Sequence, residues 1–176
     1  MTPRIERRLS AASATSPTYP EIGATRDEVF PGGYHHLSVT RTIGRGDAAF
    51  ALAAERVMSW QVQRRTGLRI EATAATAHEG DDVLLGLGVG PLTRWLPCRV
   101  VYTVEEPRRA GWAYGTLPGH PEAGEERFLV VHQPDDTVTF TVEAFSRPAW
   151  WPVRIAGPIG RAVQRLVSER YVRALG

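Results

Sequence analysis

The chain contains no lysine and no asparagine; all 21 basic residues are arginine. Both missing residues are written in AT-rich codons, so a GC-rich genome accounts for the gap, and a pI near 9.0 loses its force as a sign of a nucleic-acid partner. There is one cysteine, Cys98. An intrachain disulfide is therefore excluded, and a reducing, cytoplasmic location is expected. The longest apolar run, Val83 to Leu92, is too short to span a bilayer. Arg4, Arg7 and Arg8 imitate the start of a targeting segment, but the apolar stretch that should follow is missing. Walker and Rossmann glycine patterns are absent, as is the G-x-S-x-G elbow that would make Ser146 a nucleophile. The five histidines and the lone cysteine have no zinc spacing. No cofactor and no metal are expected, the alternative being a site built from His120 and a glutamate.

What is present reads as one globular domain. Hydrophobic content is 43% and charged content 23% in 176 residues, enough chain to bury about 70% of its unfolded surface. Charge is uneven. Residues 147–176 hold six arginines against one glutamate, whereas residues 21–146 hold 12 arginines against 17 acids. A basic C-terminal helix on an acidic body suggests internal complementarity or a surface facing a partner.

Residues 1–33 read as a disordered segment followed by an extended arm rich in proline and glycine, and 34–176 as the folded domain. In 35–43, Leu37, Val39 and Ile43 alternate with polar neighbours, which predicts a strand. Asp47 can cap a helix running to about Arg65, stopped by Gly67. Six strands follow, within 68–76, 82–89, 98–106, 110–116, 125–133 and 136–145. In the last of these Val138, Phe140, Val142 and Ala144 face one way and Thr137, Thr139, Thr141 and Glu143 the other. A helix is predicted near 158–174, with Ile159, Ala162, Val163 and Leu166 on its apolar face and Trp150 and Trp151 at the hinge before it. Strand, helix, six strands, helix describes an α+β fold with a curved seven-stranded antiparallel sheet around a long C-terminal helix. Such a sheet must be covered on one face, and the space beneath the helix is a candidate pocket. Gly86, Gly88 and Gly90 remove side-chain bulk near it.

Chemistry concentrates in GWAYGTLPGHPEAGEE (111–126). His120 sits in a stiff Pro-Gly-His-Pro turn, as a general base, a ligand contact or a solvated loop residue. Glu125 and Glu126 open the next strand, and since side chains alternate, one of them points to the concave side. The neighbouring residues do not decide which. An inward carboxylate on an apolar face acquires a raised pKa; the alternative is a rim residue paired with arginine. Ligand-contact candidates are Trp112, Tyr114 and Tyr102, whose rings can equally be core; His35, on the face of Leu37 and Val39; and Arg99 and Arg147, which can hold either a carboxylate of the chain or an anionic ligand.

Seven segments carry a family resemblance: GGYHHL (32–37), IGRGDAAF (43–50), SWQVQRRTGL (59–68), PCRVVY (97–102), the 111–126 stretch, AFSRP (144–148) and GPIGRAVQRLVSERYVRAL (157–175). Together they resemble an uncharacterised bacterial and plant protein family, a domain of unknown function. The element order is similar to the helix-grip fold of the START-like superfamily that includes the birch pollen allergen. The resemblance implies an apolar cavity between sheet and C-terminal helix, and a small apolar or amphipathic ligand. Some members of the superfamily are cyclases or hydrolases, so acid/base catalysis of hydrolysis, cyclisation or isomerisation through His120 and an inward glutamate is implied as an option. The rival reading is a non-catalytic interaction protein that docks on a partner or membrane through the basic helix and Trp150-Trp151. A nucleic-acid partner is not expected on either reading.

Overall fold

A computed structural model of the chain describes residues 2–27, 29–88, 90–149 and 166–175. Seven strands form one antiparallel sheet: β1 (His35–Arg45), β2 (Arg69–Ala72), β3 (Asp82–Leu87), β4 (Arg94–Glu106), β5 (Arg109–Thr116), β6 (Glu122–His132) and β7 (Thr137–Pro148). They lie side by side in the order β1-β7-β6-β5-β4-β3-β2. The six strands from β2 to β7 are joined in sequence as a meander, because short connections favour neighbours that pair directly.

Alternation builds the concave face. Val138, Phe140 and Val142 are fully buried, while Thr137, Thr139 and Thr141 on the opposite face are half-buried. The face assignment read from the sequence therefore stands for β7. Each such side chain removed from water contributes roughly 1.5–3 kcal/mol, which is what holds the helices α2 (Gly46–Met58) and α3 (Gln61–Arg65) and a C-terminal helix α4, described over 166–173, on the concave side. Trp112 shows the fit. It is fully buried, donates its indole N–H to the Val57 carbonyl of α2 at 2.9 Å, and packs on Trp60 and Phe128.

The single helix predicted over 47–65 is two. Trp60 takes a left-handed conformation, φ 63°, between α2 and α3, costly for a bulky residue. Its indole, fully buried against Trp112 and bonded to the Ala74 carbonyl at 3.0 Å, holds the break. Asp47 lies inside the first turn of α2 rather than at its cap. The strand predicted over 68–76 shortens to β2. The space left by Gly86 is taken by Trp95 and Thr93, each 3.0 Å from where a Cβ would stand.

The N-terminal segment is a correction. It contains a helix, α1 (Pro3–Ser13), with proline in its first turn. Ile5 and Leu9 are buried against Leu84 and Trp95 on the convex side of the sheet. Arg99 fastens the end of α1, donating to the Ala12 and Thr15 carbonyls at 2.9 and 2.8 Å and to Asp82 at 2.8 Å. The arm then crosses the convex face, with Tyr19 lying over Gly115. A Cβ at 115 would stand 2.2 Å from the Tyr19 hydroxyl, so only glycine lets the arm pass.

Trp150, Trp151 and positions 158–165 of the predicted terminal helix lie outside the described residues. In α4 the buried stripe is Ser168, Tyr171 and Val172, continued by Leu175 just beyond it, and Leu166, placed on the apolar face by sequence, is 48% exposed. Among the described residues no helix is long and apolar enough to cross a membrane.

Candidate functional site

The two neighbouring glutamates separate onto opposite faces. On β6, Phe128 and Val130 belong to the concave core, and Glu126 shares their face. It pairs across the sheet with Tyr114 on β5 and Ala144 on β7. Tyr114 donates its hydroxyl to the Glu126 carboxylate. Burial pushes the Glu126 carboxyl up from its ordinary 4.5 to about 7, helped by the charge of Glu122 and opposed by the Tyr114 hydroxyl and by Ser168. Desolvation leads this shift, yet the residue is only half-buried by accessible surface. The two facts agree if the surface that remains faces a narrow space rather than open solvent.

Around this carboxyl stand Cys98 of β4 and Tyr171 of α4, both acted on by its charge. Burial pushes the Cys98 thiol and the Tyr114 and Tyr171 hydroxyls well up, so all three stay protonated at neutral pH. Ser168 is fully buried and near enough to Glu126 to stabilise its ionised form, but its hydroxyl closes no hydrogen bond. Gln63 of α3 is likewise fully buried with neither amide atom bonded. The aromatic rings are continuous: centroids are 5.4 Å apart for Trp112 and Tyr114, 5.6 Å for Tyr114 and Phe128, and 5.1 Å for Phe128 and Tyr171.

Glu125 faces the other way. It is 3% exposed and accepts hydrogen bonds from the Tyr19 hydroxyl at 2.6 Å, the Gly23 N–H at 2.7 Å, the Thr25 N–H at 2.9 Å and the Thr25 hydroxyl. The carboxylate is the anchor of the N-terminal arm.

The other residues singled out by sequence scatter. Tyr102 is a correction: it lies on the convex face, within 2.7 Å of the Thr25 hydroxyl and under the Arg26 guanidinium. Strict alternation from Cys98 and Val100 would have placed it inside, but the register shifts between Val100 and Tyr102, and one extra residue flips every later side chain. His35, predicted inward, is exposed at the first residue of β1. Arg99 is engaged at the convex face as described. Arg147 is exposed and stacks over Tyr34 at 4.8 Å.

His120 is half-buried, its Nδ1 accepting the Glu122 N–H at 3.1 Å. Burial lowers it from 6.5 to about 4, the Glu122 backbone working against that and Arg94 adding to it. It is thus neutral at physiological pH and, among the described contacts, does not reach Glu126. The structure joins Tyr114 to Glu126 and leaves His120 apart. Ser168, Tyr171 and Cys98 were not singled out from sequence, although Ser168, Tyr171, Val172 and Leu175 are spaced as one helical stripe. Among the described residues no three His, Cys, Asp or Glu side chains group as a metal site requires.

The comparisons with known proteins agree with this architecture. A profile described as "Domain of unknown function (DUF1990)" matches residues 18–174. A UPF0548 protein of Deinococcus radiodurans is 36% identical over 174 residues, covering 91% of this chain and 86% of its own. A crystal structure of a hypothetical protein from Helicobacter pylori superposes with a TM-score of 0.59 at 8% identity, over 91% of this chain and 94% of that one. Ara h 8.0201 gives 0.50 at 10% identity, over 81% and 98%. At such identities the likeness is one of fold, and the fold is the helix grip expected from the element order.

Proposed function

Since this chain belongs to the DUF1990 family, whose description names no activity, we propose from the site itself that it binds a small amphipathic molecule on the concave face, between the sheet and α4. The observation that carries this is Glu126. An ionisable carboxyl deep on an aromatic face is costly to bury, and it keeps accessible surface there. Among the described residues Tyr114 is its hydrogen-bond partner, with the Ser168 hydroxyl beside it. Buried polar groups in folded proteins are almost always bonded, so the unbonded hydroxyl of Ser168 beside Glu126 supports a site that a ligand completes. An apolar wall with a few polar groups is the usual composition of a small-molecule pocket. The protein works in the cytoplasm on this reading, as its single buried cysteine suggests.

Catalysis is a narrower proposal. A carboxyl with a pKa near 7 is suited to proton exchange at neutral pH, and Tyr114 would orient it. Glu126, not His120 or Glu125, is the residue for that role.

A neutral solvatochromic dye such as Nile red is the test. Saturable one-to-one binding is expected, with fluorescence lost on adding a competitor released from the gently denatured protein and identified by mass spectrometry. Linear, unsaturable fluorescence together with no co-purified molecule would remove the proposal.

A further inference from the structure

Among the described residues the concave site is short of positive charge. Among the described residues each of the other strongly buried carboxylates has its donors: Asp82 has Arg99 at 2.8 Å, and Glu125 has four hydrogen-bond donors. Half-buried Glu143 has Arg127. Glu126 has only neutral hydroxyls beside it, those of Tyr114 and Ser168, and among the described residues the charge acting on it is a second carboxylate, Glu122. In a chain with 21 arginines, leaving this carboxyl unpaired is the exception.

The acceptors around it match one head group. Tyr114 uses its proton on Glu126, so its oxygen acts as an acceptor, with the Tyr171 hydroxyl beside it. Among the described residues no hydrogen bond closes on the second carboxylate oxygen of Glu126, and the buried Ser168 oxygen beside it is also unbonded. Three acceptor oxygens correspond to the three N–H donors of a primary ammonium. The rings of Tyr114, Phe128 and Tyr171 lie beside them and attract a cation through their π faces.

We propose that the ligand of the concave site is an amphipathic primary amine, bound as the ammonium ion against Glu126, Ser168 and Tyr114 with its apolar part along the aromatic rings. This rests on the binding role proposed above and specifies its ligand class. A neutral alcohol offers one donor where the site has three acceptors. A carboxylate is repelled by Glu126 and Glu122. The groups facing Glu126 are Tyr114 from β5, Cys98 from β4, Tyr171 and Ser168 from α4 and Glu122 from its own strand; the tyrosines and the cysteine stay protonated, so the proton that responds to an ammonium ion is the one on Glu126.

Calorimetric titration of the full chain with n-octylamine, 1-octanol and octanoate at pH 7 decides the matter. The amine is expected to bind about tenfold more tightly than the alcohol, the gain of a charge-assisted over a neutral hydrogen bond, and octanoate most weakly. Repeating the amine titration in phosphate and in Tris is expected to reveal release of about half a proton per amine bound, since a carboxyl with a pKa near the working pH ionises when a cation arrives. Glu126→Gln should bring amine and alcohol to equal affinity while its melting curve stays cooperative. Alcohol or octanoate binding as tightly as the amine, or amine binding without proton release, overturns the amine proposal even where Nile red binds. Failure of all three probes and of Nile red overturns the binding role itself.

Discussion

Removing Glu126 and removing His120 are expected to tilt the pH dependence of stability in opposite directions. Between pH 4.5 and about 7 the folded chain keeps a proton on Glu126 that the unfolded chain releases, so this residue's contribution to stability is present below 4.5 and lost as pH rises through 7. His120 does the reverse. Between about pH 4 and 6.5 the unfolded chain holds a proton there that the folded chain does not, so its contribution is present above 6.5 and lost as pH falls through 4. Each amounts to on the order of 2 kcal/mol after allowance for partial exposure, and in the native chain they offset one another over their shared window. Urea unfolding from pH 4.5 to 7.5 should therefore show stability rising with pH in Glu126→Gln and falling with pH in His120→Gln, relative to the parent. Parallel profiles in all three proteins would mean that neither side chain is desolvated as described.

Glu125→Ala is expected to be the most damaging single change at the 111–126 hairpin, at about 3–5 kcal/mol, because it strands several buried donors at once. Tyr19, Gly23 and Thr25 all give their hydrogens to that carboxylate. For a domain of this size the loss corresponds to a fall of about 10 °C in Tm. Limited proteolysis should cut the arm between α1 and β1 in the variant and not in the parent. A change below about 1 kcal/mol with an uncut arm would show that the arm holds without its anchor. Ligand binding on the other face should survive the substitution at temperatures where the variant is folded.

These contrasts show what could be read from sequence. The strand order and the two faces of β7 are legible because alternation over many residues is a strong signal. The sequence left open which of Glu125 and Glu126 points inward, since each is followed by apolar residues of matching parity; only the covering elements, α4 on one side and the arm on the other, distinguish them. Tyr102 was misplaced because a one-residue bulge leaves no mark in hydrophobicity. His120 is held in a half-buried turn rather than in solvent because the loop folds back on Pro97, whose carbonyl accepts the Leu117 N–H at 3.0 Å, a long-range contact no local pattern encodes. The α1 helix does carry a local signal: Thr2 and Pro3 start it, and Ile5, Leu9 and Ala12 recur on one stripe, as a helix start followed by an amphipathic repeat should.

The claim that the concave face is the binding site can be tested by locating a bound probe. A groove of about 230 Å³ lies on the convex side, between α1 and the sheet, lined by Arg8, Thr15, Leu84, Trp95, Pro97 and Pro118. NMR titration with Nile red or n-octylamine, following side-chain carboxyl, aromatic and methyl signals, separates the two. Shifts centred on Glu126, Tyr114, Phe128 and Tyr171, with the Glu126 carboxyl moving most, are the expected result. Shifts confined to Leu84, Trp95 and the α1 residues, with Glu126 unmoved, would contradict it.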